Sequence, residues 1–307
     1  MSEHNHEHGH GHHHHSIEGV SGKKLFFVVL LNAIITLAEF IGGFLSGSIA
    51  LISDAVHNLS DTAAIALSYF ANLVARRPVN ERKTFGYKRI EIISAFVNSA
   101  VLFAISGFLI YEAYHRFKDP VEIDSKLMLI VAVIGLFGNL ISMFLLEKDS
   151  HGNLNIKASY LHIMGDTLSS VGVIIGGLLI KYFGILYIDP LLTVLIALYI
   201  MRETVSVIKT TINILMQASA PIDIDRIKSD IENIPGVSGI HHIHSWMLDE
   251  KTILFEAHLD IEEDIKVSEL KNYYLDIEKY LHEEHGVDHV TLQAELGGCE
   301  GVCHFER

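Results

Sequence analysis

Between Leu25 and Met201 the apolar residues run in six long blocks: approximately Leu25–Leu45, Ile49–Val74, Ile90–Tyr111, Leu127–Leu146, Ile156–Ile180 and Ile185–Met201. Each is near the ~20 residues that cross a bilayer core, so the pattern predicts six membrane-spanning helices. The last is expected to continue as a helix through Thr204–Met216. Beyond Pro221 the pattern changes. Asp223–Asn233 has helical spacing, and in Val237–Met247 and Thr252–Ile261 apolar positions tend to alternate. Val267–Glu284 reads as an amphipathic helix and Val287–Leu296 as a further strand.

The expected fold is therefore an all-α six-span transmembrane domain followed by a cytosolic α+β C-terminal domain, ferredoxin-like with the order αββαβ. The expected divisions are a His-rich cytosolic tail over 1–22, a transport domain over 23–216 and a metal-sensing, dimerising domain over 217–307. A domain of roughly 85 residues builds only a modest core, which dimerisation would help.

Loop charge orients the spans. Arg76, Arg77, Arg82, Lys83, Lys88 and Arg89, with Lys23, Lys24, Lys148, Lys157, Arg202 and Lys209, place 12 basic residues on one side, against Arg116, Lys118, Lys126 and Lys181 on the other. The richer side is the cytosolic one, which puts both termini in the cytosol. The net charge of −14 is concentrated after Met216, where 7 Lys/Arg face 20 Asp/Glu. Such a surface disfavours nucleic acid and suits cations, although acidity also serves plain solubility.

The only two cysteines, Cys299 and Cys303, form no disulfide framework. Eight of the first 15 residues are His. This tract has no apolar face and is expected to be disordered. Its composition suits metal binding, and the interleaving of His with Glu, Asn and Gly argues against an expression tag.

Ionisable residues inside spans are costly, about 2.5–3.5 kcal/mol for an Asp at a helix centre, and mark function. Here they are Glu39, Asp54, His57, Asp61, His162 and Asp166. His57 and Asp61 are four apart, as are His162 and Asp166, and i,i+4 residues share one helix face. If the second and fifth spans face each other, two nitrogens and two oxygens converge in a set that zinc accepts. Two carboxylates also neutralise a divalent ion. One such pair is explained by a helix–helix hydrogen bond; two at membrane depth favour metal. Asp54 lies near the start of its span and reads as a neighbour, proton carrier or entrance residue, not a ligand. Metal needs neutral imidazole and ionised carboxylate, so protons compete with it.

The run Ser53-Asp54-Ala55-Val56-His57-Asn58-Leu59-Ser60-Asp61, with His162-Ile163-Met164-Gly165-Asp166, resembles the zinc-transporting branch of the cation diffusion facilitators. Gly239-Ile240-His241-His242-Ile243-His244-Ser245-Trp246 looks like the start of that family's tail domain. The resemblance implies a homodimer in a bilayer, with the cell (inner) membrane as its expected place. It implies efflux of a divalent cation by alternating access in exchange for protons: zinc first, with cadmium and cobalt possible. His57, Asp61, His162 and Asp166 match the transport positions, and imidazole suits these ions better than magnesium or manganese.

The resemblance also implies tail metals, with zinc as a regulatory ligand, at regions matched by His241, His258 and Glu295. His244 is also well placed, although strand alternation can turn it away from His242. Cys299, Cys303 and His304 either bind zinc with the N-terminal tract or form a plain chain end. The loop Pro78–Arg89 holds neither His nor Asp, so no metal is expected there. An intramembrane metalloenzyme is disfavoured, since none of the six apolar blocks holds an HExxH and the chain has no GxSxG. A non-transporting metal sensor is the other rival reading.

Overall fold

The computed structural model describes residues 22–150 and 154–297. The His-rich tract and Cys299, Cys303 and His304 lie outside the described residues. Six long helices come first: α1 (Gly22–Ser46), α2 (Ile49–Ala75), α3 (Arg89–Lys118), α4 (Ser125–Ser150), α5 (Leu154–Phe183) and α6 (Ile188–Leu215). Among the described residues, four segments are long and apolar enough to cross a membrane: Arg89–Lys118, Ser125–Glu147, Ile163–Phe183 and Ile188–Leu215. Leu30–Ser46 in α1 is a shorter apolar stretch. Helix α2 carries Ser53, Asp54, His57, Asn58, Ser60, Asp61 and Thr62 along its first half, which lowers its hydropathy.

The chain divides by contact into two compact units. One holds the residues up to Thr62 with Ile105–Ile200; the other holds Ala63–Ala104 with the chain from Met201. In the first, small residues let helices approach closely. Gly135 and Gly138 of α4 leave room for Glu39 and Ile35 of α1, where a Cβ would collide with either side chain. Ala50, Leu51, Met128, Val131, Ala132, Val173 and Ile180 are buried together.

The loop into α2 is closed by α6. Asp189, fully buried, accepts hydrogen bonds from Ser48 Oγ (2.5 Å) and from the amides of Ile49 (3.0 Å) and Ala50 (3.3 Å). These amides belong to the first turn of a helix, which has no intrahelical acceptors, and the positive end of the helix dipole favours a carboxylate there. Arg116 of α3 donates to the Gly47 carbonyl next to this cap.

The second unit contains α7 (Ile224–Glu232), β1 (Val237–Met247), β2 (Ile253–Ile261), α8 (Val267–His285) and β3 (His289–Leu296). The order αββαβ is that expected from the sequence. The sheet runs β1-β2-β3, with β1 antiparallel and β3 parallel to β2. The parallel pair requires a crossover, which α8 supplies. Asp223 caps α7 by accepting from the Arg226 amide at 3.0 Å. Gly286, at φ +67°, ends α8 in the left-handed conformation that glycine adopts without strain.

Alternation along β2 buries Phe255, Ala257, Leu259 and Ile261 against Ile227, Ile231, Ile277 and Leu281. Glu256, His258 and Asp260 are thereby placed on the opposite face. Full burial of one such large apolar side chain stabilises by about 1.5–3 kcal/mol. The sheet's inner face therefore anchors its outer one.

Candidate metal centres

Within the first unit, helix α2 places His57 and Asp61 one turn apart, and α5 brings Asp166 to them. His57 Nε2 stands 3.7 Å from Asp61 Oδ2 and 3.8 Å from Asp166 Oδ1. These separations exceed hydrogen-bonding distance. Two ligands bound tetrahedrally to zinc at ~2.1 Å stand about 3.4 Å apart, so the spacing needs to tighten by only a few tenths of an ångström to hold an ion. Asp166 is 3% exposed, His57 15% and Asp61 30%, which grades the cluster from closed to open. His162 lies on α5 one turn before Asp166; its side chain lies outside the described residues.

Neighbouring polar contacts fix α2 against other helices. Ser169 Oγ of α5 donates to Asp54 Oδ1 at 2.6 Å. Asn58 Nδ2 donates to Glu39 Oε2 of α1 at 3.0 Å. The Tyr199 ring of α6 meets His57 edge-on, with centroids 6.4 Å apart. Asp54, considered above as a neighbour, carrier or entrance residue, is thus a helix-to-helix contact in this structure. Glu39 and Asp54 were visible in the sequence as buried charges. Asp189 was not singled out, because nothing local to it reveals that it caps another helix.

A second cluster covers the outer face of the tail sheet. His241 of β1 lies directly across from His258 of β2. Asp260 of β2 lies beside Glu295 of β3. His241 Nδ1 is 3.1 Å from Asp260 Oδ2, His241 Nε2 is 3.4 Å from Glu295 Oε2, and His258 Nδ1 is 2.8 Å from Glu295 Oε1. His242 joins them, with ring centroids 5.0 Å from His241 and 4.8 Å from His258.

Two triads, His241–His242–His258 and His241–Asp260–Glu295, each bring one donor atom per residue within 4.8 Å of the others. Burial, then the neighbouring His258 and His241, push the His242 pKa below its ordinary value, which favours the neutral form that binds metal. The structure therefore brings together His241, His258 and Glu295, three of the tail residues singled out from the sequence; Cys299 and Cys303, also singled out, lie outside the described residues. His242 and Asp260 enlarge the set. His244 stands across from Glu256 in the strand register.

Comparison with known proteins places these features. Residues 25–216 match the cation efflux transmembrane domain, and residues 220–296 match the cation efflux protein cytoplasmic domain. The metal cation efflux system protein CzcD of Cupriavidus metallidurans is 36% identical over 92% of this chain and 89% of its own length. The cadmium, cobalt and zinc/H(+)-K(+) antiporter of Bacillus subtilis is 38% identical over 91% of this chain and 90% of its own. The zinc transporter ZitB of Escherichia coli is 35% identical over 94% and 92%. With both domains matched and such relatives aligned almost end to end, the chain belongs to the cation efflux, or cation diffusion facilitator, family and is an integral membrane cation efflux transporter, not an enzyme.

Proposed function

We propose that this protein exports zinc, with cadmium and cobalt as further substrates, through a site formed by His57, Asp61, His162 and Asp166, in exchange for protons. The observation that carries the reading is the convergence of His57, Asp61 and Asp166 from two helices, at separations suited to an ion. Two imidazoles and two carboxylates match zinc's preference for mixed nitrogen and oxygen ligands. Relatives named for zinc, and for cadmium, cobalt and zinc exchanged with H+ and K+, support the ion class and the counter-ion.

All six long helices span the membrane in this reading, with the 23–216 transport domain oriented so that both termini are cytosolic and the cell membrane as its place. Residues 217–307 form a ferredoxin-like dimerising and metal-sensing domain, and the match to a domain class named for dimers supports the homodimer. His241, His258 and Glu295 bind a regulatory zinc ion there; Cys299 and Cys303 are further candidates in the same domain.

Chemically, the site works by competition. A metal ion in the four-ligand site requires unprotonated imidazoles and ionised carboxylates. Protons entering from the far side displace it and let the empty site return. Alternating access then needs only that the two helices bearing these groups open first to one side and then to the other.

Zinc flux into proteoliposomes under an imposed pH gradient tests this. The wild type should take up zinc in proportion to the gradient, and Asp61→Ala and Asp166→Ala should each abolish uptake while the protein remains folded. Uptake indifferent to pH would remove the antiport claim, and uptake surviving both substitutions would remove the site.

A further inference from the structure

The strand β1 contains a bulge at the centre of the histidine cluster. His241 pairs with His258 and His244 with Glu256, so His242 and Ile243 together oppose the single residue Ala257. His242 has φ +48°. In bulges of this left-handed kind the position is ordinarily glycine, because a Cβ is disfavoured there. A non-glycine residue held in such a conformation indicates that something other than backbone stability selects it.

The bulge has a definite consequence for side-chain direction. Ile240 is buried in the core, and strict alternation would point His242 to the same inner side. The extra residue instead leaves His242 beside His241 and His258, and returns Ile243 to the core. His242 Nδ1 is buried and makes no hydrogen bond, while His258 Nδ1 and His241 Nε2 face the Glu295 carboxylate at 2.8 and 3.4 Å. Buried polar atoms without partners are costly unless a ligand satisfies them. The Asp260 carboxylate meets the other ring nitrogen of His241 at 3.1 Å, the arrangement by which a carboxylate orients a metal-binding histidine.

We propose that His242 is a metal ligand of the tail domain and sets its ion preference. Together with His241, His258 and Glu295 it completes a three-nitrogen, one-oxygen set for a d-block dication such as zinc or cobalt. Asp260 positions His241 in that state. Without His242 the oxygen-richer triad His241–Asp260–Glu295 remains, which suits a harder ion such as manganese. The inference rests on the tail-site reading above and adds to it a ligand and a reason for the strained backbone.

The test is His242→Gly in the full-length protein in detergent. Glycine relieves the left-handed strain, so lost binding cannot be ascribed to a disrupted fold. The sole tryptophan, Trp246, lies in β1 four residues away and reports on this sheet. Cobalt is titrated by quenching of Trp246, and zinc and manganese by competition with cobalt. The metal-free variant should unfold at a higher temperature than the wild type, by Trp246 emission. Its zinc and cobalt affinities should fall by about tenfold or more, while manganese changes little. His242→Gln should lose zinc affinity similarly, without the stability gain.

Zinc affinity preserved in His242→Gly overturns the inference and leaves the tail-site reading standing. Equal loss of zinc and manganese overturns the claim of ion preference. A wild type whose Trp246 answers to none of the three ions overturns both readings.

Discussion

Replacing Asp189 isolates how much the trans-helix cap contributes. The carboxylate accepts three hydrogen bonds from the start of α2, at 2.5, 3.0 and 3.3 Å, in a fully buried setting. A hydrogen bond to a charged group contributes about 1.5–3 kcal/mol, and the orphaned amides add a desolvation cost of about 1–3 kcal/mol. The three share one acceptor and are not additive, so Asp189→Ala should cost on the order of 3–5 kcal/mol. Asp189→Asn keeps one carbonyl acceptor and should cost about 1–2 kcal/mol. At about 2–4 °C per kcal/mol for a domain of this size, the alanine variant should melt about 10 °C below the wild type. Thermal unfolding of purified protein in detergent, followed by loss of the monodisperse species, gives the comparison. An alanine variant within about 2 °C of the wild type, or an asparagine variant as unstable as alanine, would refute the capping argument.

Three further outcomes are expected. His57→Asp makes the α2 pair all-oxygen and should shift competition flux in proteoliposomes toward manganese; unchanged selectivity would refute the imidazole argument. Tyr280 has its pKa raised from 10.0 to about 12, first by burial and then by its hydrogen bond to Asp230. Its contribution is complete below pH 10 and is lost as pH rises toward 12, because the unfolded chain releases this proton first. Tyr280→Phe should flatten that alkaline decline in pH-dependent unfolding. Asp249 resists the upward effect of burial through the Lys251 and Thr252 amides, the Thr252 hydroxyl and Lys88, which hold its pKa below the ordinary value. Its stabilisation is present above the ordinary value and fades as pH falls below about 4, so Asp249→Ala should flatten the acid limb and cost about 1 kcal/mol at neutral pH.

Long apolar blocks and the alternation beyond Pro221 were enough to place six helices and the αββαβ order, because burial in a bilayer or against one sheet face imposes its own period on the residues. The His57/Asp61 and His162/Asp166 spacings were legible for the same reason: four residues is a helical turn, so shared faces can be read without coordinates. The tail divides differently. His241, His258 and Glu295 could be matched from sequence, yet His242 could not be placed, since alternation alone points it into the core. Only the bulge, set by how β1 registers against β2, turns it outward. Asp260 and Asp189 share that character. One acts on a histidine of a neighbouring strand and the other on the first amides of a helix some 140 residues earlier. Local pattern thus determined the elements and the ligand pairs within one helix. The partners that join different elements were decided by register and packing, which depend on the whole fold.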